Sequence, residues 1–233
     1  MGVGQVIAGL PDLTLEICMS VDISSLAYAL RTASEGSSHP LRHGHAMELI
    51  AAALGYGSLA AYKAGIAEGD ERADLAEAGN LVLNGQAIID RAAQLSFMAP
   101  SLTRLEMVLN AFATCLPRAR RFQNENDLFN EIVNLIDRKT LNDGEVSGAI
   151  ASTNSNGYDE IYLPFDFSLD ELPPPGETHH VEIAGHINME VDLERPYSGH
   201  RIDVSAVLSL ERVGRCAINV RHIPQPTTRN CGH

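Results

Sequence analysis

Apolar residues recur at three- and four-residue intervals through the first two-thirds of the chain, the spacing of one helix face, and then at every second residue. Ile23, Leu26, Ala27 and Leu30 mark a helix from Ile23 to about Ser34, capped by Ser20 or Asp22. Glu35-Gly36-Ser37-Ser38 breaks it. A second helix is expected from Gly44 to Leu54, burying Met47, Leu49, Ile50, Ala53 and Leu54, with Gly55 closing its C-terminus. A third, capped by Ser58, runs to about Ala64, and the three make a compact unit ending near Gly65. Residues 71–98 read as one or two helices interrupted at Gly79-Asn80 or Asn84-Gly85, the second with Ile88, Ile89, Ala92 and Leu95 on its apolar face. Pro100 and Ser101 open another, with Leu102, Leu105, Val108, Leu109, Phe112 and Leu116 on one side. Asn126 or Asp127 then caps a helix carrying Leu128, Ile132, Val133, Leu135 and Ile136, which ends in the turn Asn142-Asp143-Gly144. Residues 145–152 fit either a short helix or the start of a strand.

After Asn154 the period falls to two. Ser155-Asn156-Gly157 is a turn, and Ile161, Leu163 and Phe165 alternate as a strand facing inward. Three consecutive prolines, Pro173 to Pro175, sit in a connector that neither a helix nor a central strand accommodates. From His180 to Leu193 one parity is apolar: Val181, Ile183, Ile187, Met189, Val191 and Leu193. Ile202 to Leu210 repeats the pattern, and Ala217 to Ile223 gives a third strand. The expected fold is therefore α+β, a helical N-terminal two-thirds followed by a β-rich C-terminal antiparallel sheet. Its divisions are 1–65 (lead-in and small helical unit), 66–153 (helical) and 154–233 (acidic and β-rich).

Charge sharpens this division. The net charge is −13, and between Thr140 and Glu194 the chain has twelve Asp and Glu residues but no Lys or Arg. Such a chain repels a phosphate backbone, because nucleic-acid binding depends on cationic side chains displacing counterions. Direct nucleic-acid binding is excluded on that ground. The small basic cluster Arg118, Arg120 and Arg121 reads as a helix end answering its dipole. Cys18, Cys115, Cys216 and Cys231 show neither metal-type spacing nor the density of a disulfide framework, which fits a reducing cytoplasm. The N-terminus has no basic region and carries Asp12 and Glu16 in its apolar stretch, unlike a secretion signal. No run approaches the roughly 18 apolar residues of a membrane span.

Within residues 23–64, Leu30-Arg31, His45, Glu48-Leu49-Ile50-Ala51, Leu54-Gly55-Tyr56 and Ser58 form a recognisable series. The stretch resembles the small helical module at the N-terminus of glyoxalase-superfamily-related proteins, which also occurs in uncharacterised bacterial, often plasmid-borne, proteins. Leu59 stands where that module usually has Trp. The resemblance implies a bacterial or mobile-element origin and brings no catalytic residues. No glyoxalase domain follows, so it implies no isomerase activity.

Three groups of residues invite a chemical reading. His180, Glu182 and His186 share strand parity and are suitable zinc ligands. On a straight strand His180 and His186 stand about 20 Å apart, so one ion needs a bulge, which Gly185 could supply. The plain alternative is a solvated outer face. His39, His43 and His45 cluster around a helix start without a metal-protease signature. Arg195, Tyr197 and His200 lie on the connection between two strands, where ligand or partner contacts often form. Cys115 falls in an apolar helical face and reads as core, and there is no nucleophile elbow or phosphate loop.

The leading expectation is a non-enzymatic acidic interaction protein that docks a basic partner, with Asp159, Glu160, Asp170, Glu171, Arg195, Tyr197 and His200 as contact residues. The partner would be a nucleic-acid-binding protein inhibited by charge mimicry. The alternative is a metal-dependent enzyme using His180, Glu182 and His186. A third reading is self-association through the sheet. No cofactor is implied.

Overall fold

The fold is that of a computed structural model, which describes residues 20–69, 74–95, 101–195 and 198–224. Three helices come first: α1 (Ile23–Ser34), α2 (His43–Ala53) and α3 (Leu59–Glu68). The Asp22 side chain caps α1 by accepting from Ser25 N at 2.8 Å, and Ser58 caps α3. Gly55 follows α2 with φ +82°, a left-handed turn that glycine enters without steric cost. Where one or two helices are expected in residues 71–98, the chain instead makes a short strand β1 (Asn80–Val82) before α4 (Gly85–Gln94), whose cap is Asn84. Three residues are too few to show alternation, so periodicity missed the strand.

Helix α5 (Ser101–Cys115) buries Val108 and Phe112 as expected, but Leu102 is 66% exposed. Strand β2 (Arg120–Phe122) then pairs parallel with β1, leaving α4 and α5 as the crossover. The next helix, α6 (Glu125–Leu141), starts earlier than its apolar pattern suggests. Asn124, not Asn126 or Asp127, is the cap, accepting from Asp127 N at 2.9 Å. Residues 144–151 are helical: Asp143 accepts from the amides of Glu145 and Val146 and starts α7 (Gly144–Ala151).

The C-terminal strands are β3 (Tyr158–Tyr162), β4 (Thr178–Met189), β5 (Arg201–Gly214) and β6 (Ala217–Pro224). They form an antiparallel meander. The sheet is larger than that meander, because β1 joins β6 and gives the mixed order β2-β1-β6-β5-β4-β3. Strand β4 stops at Met189. Val191 and Leu193, expected to face inward, are 72% and 96% exposed in the following turn. Alternation alone could not place that end, because the turn continues the same parity.

Two buried clusters result. One gathers α1 to α5 with Leu81, Val213 and Ala217; the other packs α6 and α7 against Ile183, Ile187, Ile202, Leu208 and Ile218. They meet at β1 and β6. Leu81 pairs with Ala217 toward the first cluster, while Ile218 turns to the second and Val82 touches both. Val213, three residues from Leu210, faces the opposite side of the sheet by alternation, and a register shift between Arg212 and Gly214 leaves it as an extra residue, so that Gly214 pairs with Ala217 on that same side. No described helix is long and apolar enough to cross a membrane.

Candidate partner-binding surface

The acidic residues singled out from sequence are exposed, but they do not form one patch. The chain from β3 to the 3-10 turn at Leu169–Glu171 runs along α6. Tyr158 and Ile161 lie beside Asn134 and Arg138 near its C-terminus, while Leu169 N donates to Glu125 at its N-terminus, 2.7 Å away. Asp159 and Glu160 are therefore separated from Asp170 and Glu171 by roughly 20 Å, at 1.5 Å per helical residue. Arg195 and His200 belong to the first group. The β4–β5 connection rests on the approach to β3, with Gly199 N donating to Ser155 at 3.2 Å and Asn156 to Asp192 at 3.2 Å. Arg195 is tied to Asp192 at 3.3 Å. The His200 ring is half-buried, and its Nδ1 has no partner among the described residues. Tyr197 lies outside the described residues.

Histidines 180 and 186 and Glu182 share the sheet face away from α6, as parity requires. Gly185 supplies no bulge: the β4–β5 register runs unbroken from Thr178↔Glu211 to Asn188↔Arg201. Glycine is needed there for another reason. A Cβ would lie 1.9 Å from the Tyr162 carbonyl oxygen, where β3 leaves the sheet across β4. The histidines have separate local partners: His180 Nδ1 shares a 3.0 Å hydrogen bond with Ser209, and the His186 ring lies 5.4 Å from that of Tyr162. Among the described residues no three His, Cys, Asp or Glu side chains gather as a metal site. His39 contributes its carbonyl, which accepts a hydrogen bond from the buried Arg104 guanidinium. Burial lowers the Arg104 pKa and raises that of the half-buried Cys115 thiol.

The module-like residues near the N-terminus have structural work. Glu48 accepts from Leu59 N at 3.0 Å and from Arg91 at 2.6 Å, which fastens α2 to the start of α3 and to α4. Tyr56 covers Gly65, where a Cβ would meet its hydroxyl at 3.1 Å, and its ring meets that of Tyr62 edge-on at 5.4 Å. In the basic cluster, Arg121 donates to the Leu116 and Ala119 carbonyls just beyond α5, and Arg120 pairs with Glu131 at 2.6 Å.

Sequence reasoning missed a groove along the seam of α6 and β3. It consists of two adjoining depressions of about 410 and 250 Å³ that share Asp137 and Ile161. Phe129 and Val133 line one end, and Phe129 stacks on Phe165 at a centroid distance of 4.9 Å. A shift between Tyr158 and Glu160 turns Tyr158 to the same side as Ile161, so Tyr158 lines the other end. Within this groove burial raises the Asp137 pKa, and its carboxylate has neither a hydrogen bond nor an ion pair among the described residues. The neighbouring cation, Arg138, is already held by Glu131 at 3.2 Å. The signal was present in the sequence: Phe129, Val133 and Asp137 are four residues apart and form a stripe beside the main apolar face of α6.

A separate depression of about 620 Å³ lies at the carboxyl ends of β1 and β2, with Leu83, Leu105 and Leu109 below and Asn84, Gln123 and Asn124 at its rim. Comparison with protein-family models, curated proteins and solved structures gives no match to the chain.

Proposed function

We propose that this protein is a non-enzymatic, acidic interaction protein whose β-rich part docks a basic partner. The observation supporting this is the state of its carboxylates. In the helical part Glu35 pairs with Arg31 and Glu48 with Arg91, each at 2.6 Å. In the β-rich part Asp192 and Asp203 pair with Arg195 and Arg201, but Asp159, Asp166, Asp170, Glu171 and Glu182 are exposed and meet no cation among the described residues. An arrangement of unneutralised acids steers a basic partner and repels an acidic one. It also offers the charge pattern by which a protein can occupy the binding surface of a nucleic-acid-binding partner. The resemblance of residues 23–64 to a bacterial, often plasmid-borne, module agrees with a regulatory role of this kind.

The test is capture from nuclease-treated cell lysate at low salt, followed by elution with rising salt. The expected result is one basic protein that elutes between about 0.1 and 0.5 M salt, as screening removes the attraction. Its capture is lost when Asp159→Asn, Glu160→Gln, Asp170→Asn and Glu171→Gln are combined, and it competes with nucleic acid for that protein. Capture that ignores both salt and the four substitutions contradicts the reading.

A further inference from the structure

Strand β3 ends the sheet, so one row of its backbone amides and carbonyls has no neighbouring strand. The groove lies beside this edge. A strand added about 4.8 Å beyond β3 would send alternate side chains over the α6 flank, where Val133, Asp137 and Tyr158 stand. That position has an apolar wall and one carboxylate without a counter-ion. A half-buried unpaired charge is costly to leave and is relieved by an incoming cation.

The edge also selects among occupants. Exposed Asp159 and Glu160 sit on β3, and a second copy of this chain aligned there would set acid against acid. An acidic or neutral strand gains nothing from Asp137, whereas a strand alternating apolar and basic residues satisfies the backbone, the wall and the carboxylate together. We infer that the β3 edge and the α6–β3 groove receive an extended basic segment of a partner protein, which adds as a strand and sets a lysine or arginine against Asp137. This rests on the acidic-docking reading and gives it a binding mode.

The probe is a fluorescein-labelled peptide of about nine residues alternating lysine and valine, measured by fluorescence anisotropy at low salt. Its control has the same sequence with every second backbone nitrogen methylated, which keeps the charge and removes edge hydrogen bonds. The unmodified peptide is expected to bind at least about tenfold more tightly than the control, since the control loses several edge hydrogen bonds at once. Asp137→Asn should weaken it about tenfold, as loss of a close charge partner does. Glu68→Gln, a change at the end of α3, which packs on α2, should leave it unaltered. Equal binding of the two peptides overturns the strand-addition mode but leaves charge-driven docking intact. Binding of neither peptide, or binding insensitive to salt, overturns both. A dimer of the protein alone that Asp137→Asn strengthens also overturns the inference, assigning the edge to self-pairing.

Discussion

The helical part and the β-rich part of this molecule put their charged groups to different uses. Around α1 to α5, charged groups hold elements together: Glu48 bridges the start of α3 and Arg91 of α4, and buried Arg104 reaches the His39 carbonyl. Around β3 and β4, Asp159 and Glu182 meet no cation among the described residues, and Asp137 faces a groove with no partner there. Both parts bury a full apolar cluster, so the contrast is not one of folded against poorly folded. It separates a scaffold in which charged groups join one helix to another from a surface on which Asp159, Glu182 and Asp137 carry no counter-ion among the described residues.

The sharpest way to break that comparison is to damage each cluster separately. Phe112→Ala should cost about 4 kcal/mol and Leu208→Ala about 3 kcal/mol, because both side chains are fully buried and leave cavities. Hydrogen exchange should show Phe112→Ala loosening α1, α2 and α5 more than β4, and Leu208→Ala the reverse. Equal loosening everywhere would mean that the two clusters behave as one unit. Gly185→Ala should cost about 3 kcal/mol, since its methyl group would force the β3 exit away from β4. Wild-type thermal stability in this variant would show that the crossing relaxes freely. Glu48→Ala should cost about 2 kcal/mol in urea unfolding, by stripping partners from Leu59 N and Arg91 together.

The smallest effect is opposite in sign. The folded-state pKa of Asp137 is raised by burial, so ionisation penalises the folded form above that pKa. The penalty fades as pH falls toward the unfolded carboxyl pKa. Asp137→Asn should therefore raise the melting temperature at neutral pH, with an advantage that shrinks on acidification. A lower melting temperature at neutral pH would mean that Asp137 serves the fold and not a partner.

Helix α1 was legible to the residue, because its cap and its apolar face agree, and β5 was legible because alternation over Ile202 to Leu210 admits one face inward. Strands β1 and β2 were not: each has three residues, and pairing with distant β6, not local pattern, makes β1 a strand. The cap of α6 was misplaced because Asn124, Asn126 and Asp127 are all competent and only packing selects among them. Exposure of Asp159 and Asp170 followed from composition, but their separation along α6 did not, since it depends on how the 163–168 segment crosses the helix. Asp137 has no distinguishing sequence signal beyond its spacing from Phe129 and Val133. Its interest comes from β3, which is distant in sequence and supplies the other wall of the groove.

Hydrogen exchange of the protein with and without the alternating lysine–valine peptide tests the central claim most directly. The account predicts slowed exchange at Tyr158–Tyr162, unchanged exchange in α1 to α3, and loss of the effect in Asp137→Asn. Protection confined to the helical part, or none at β3 with the peptide bound, would contradict it.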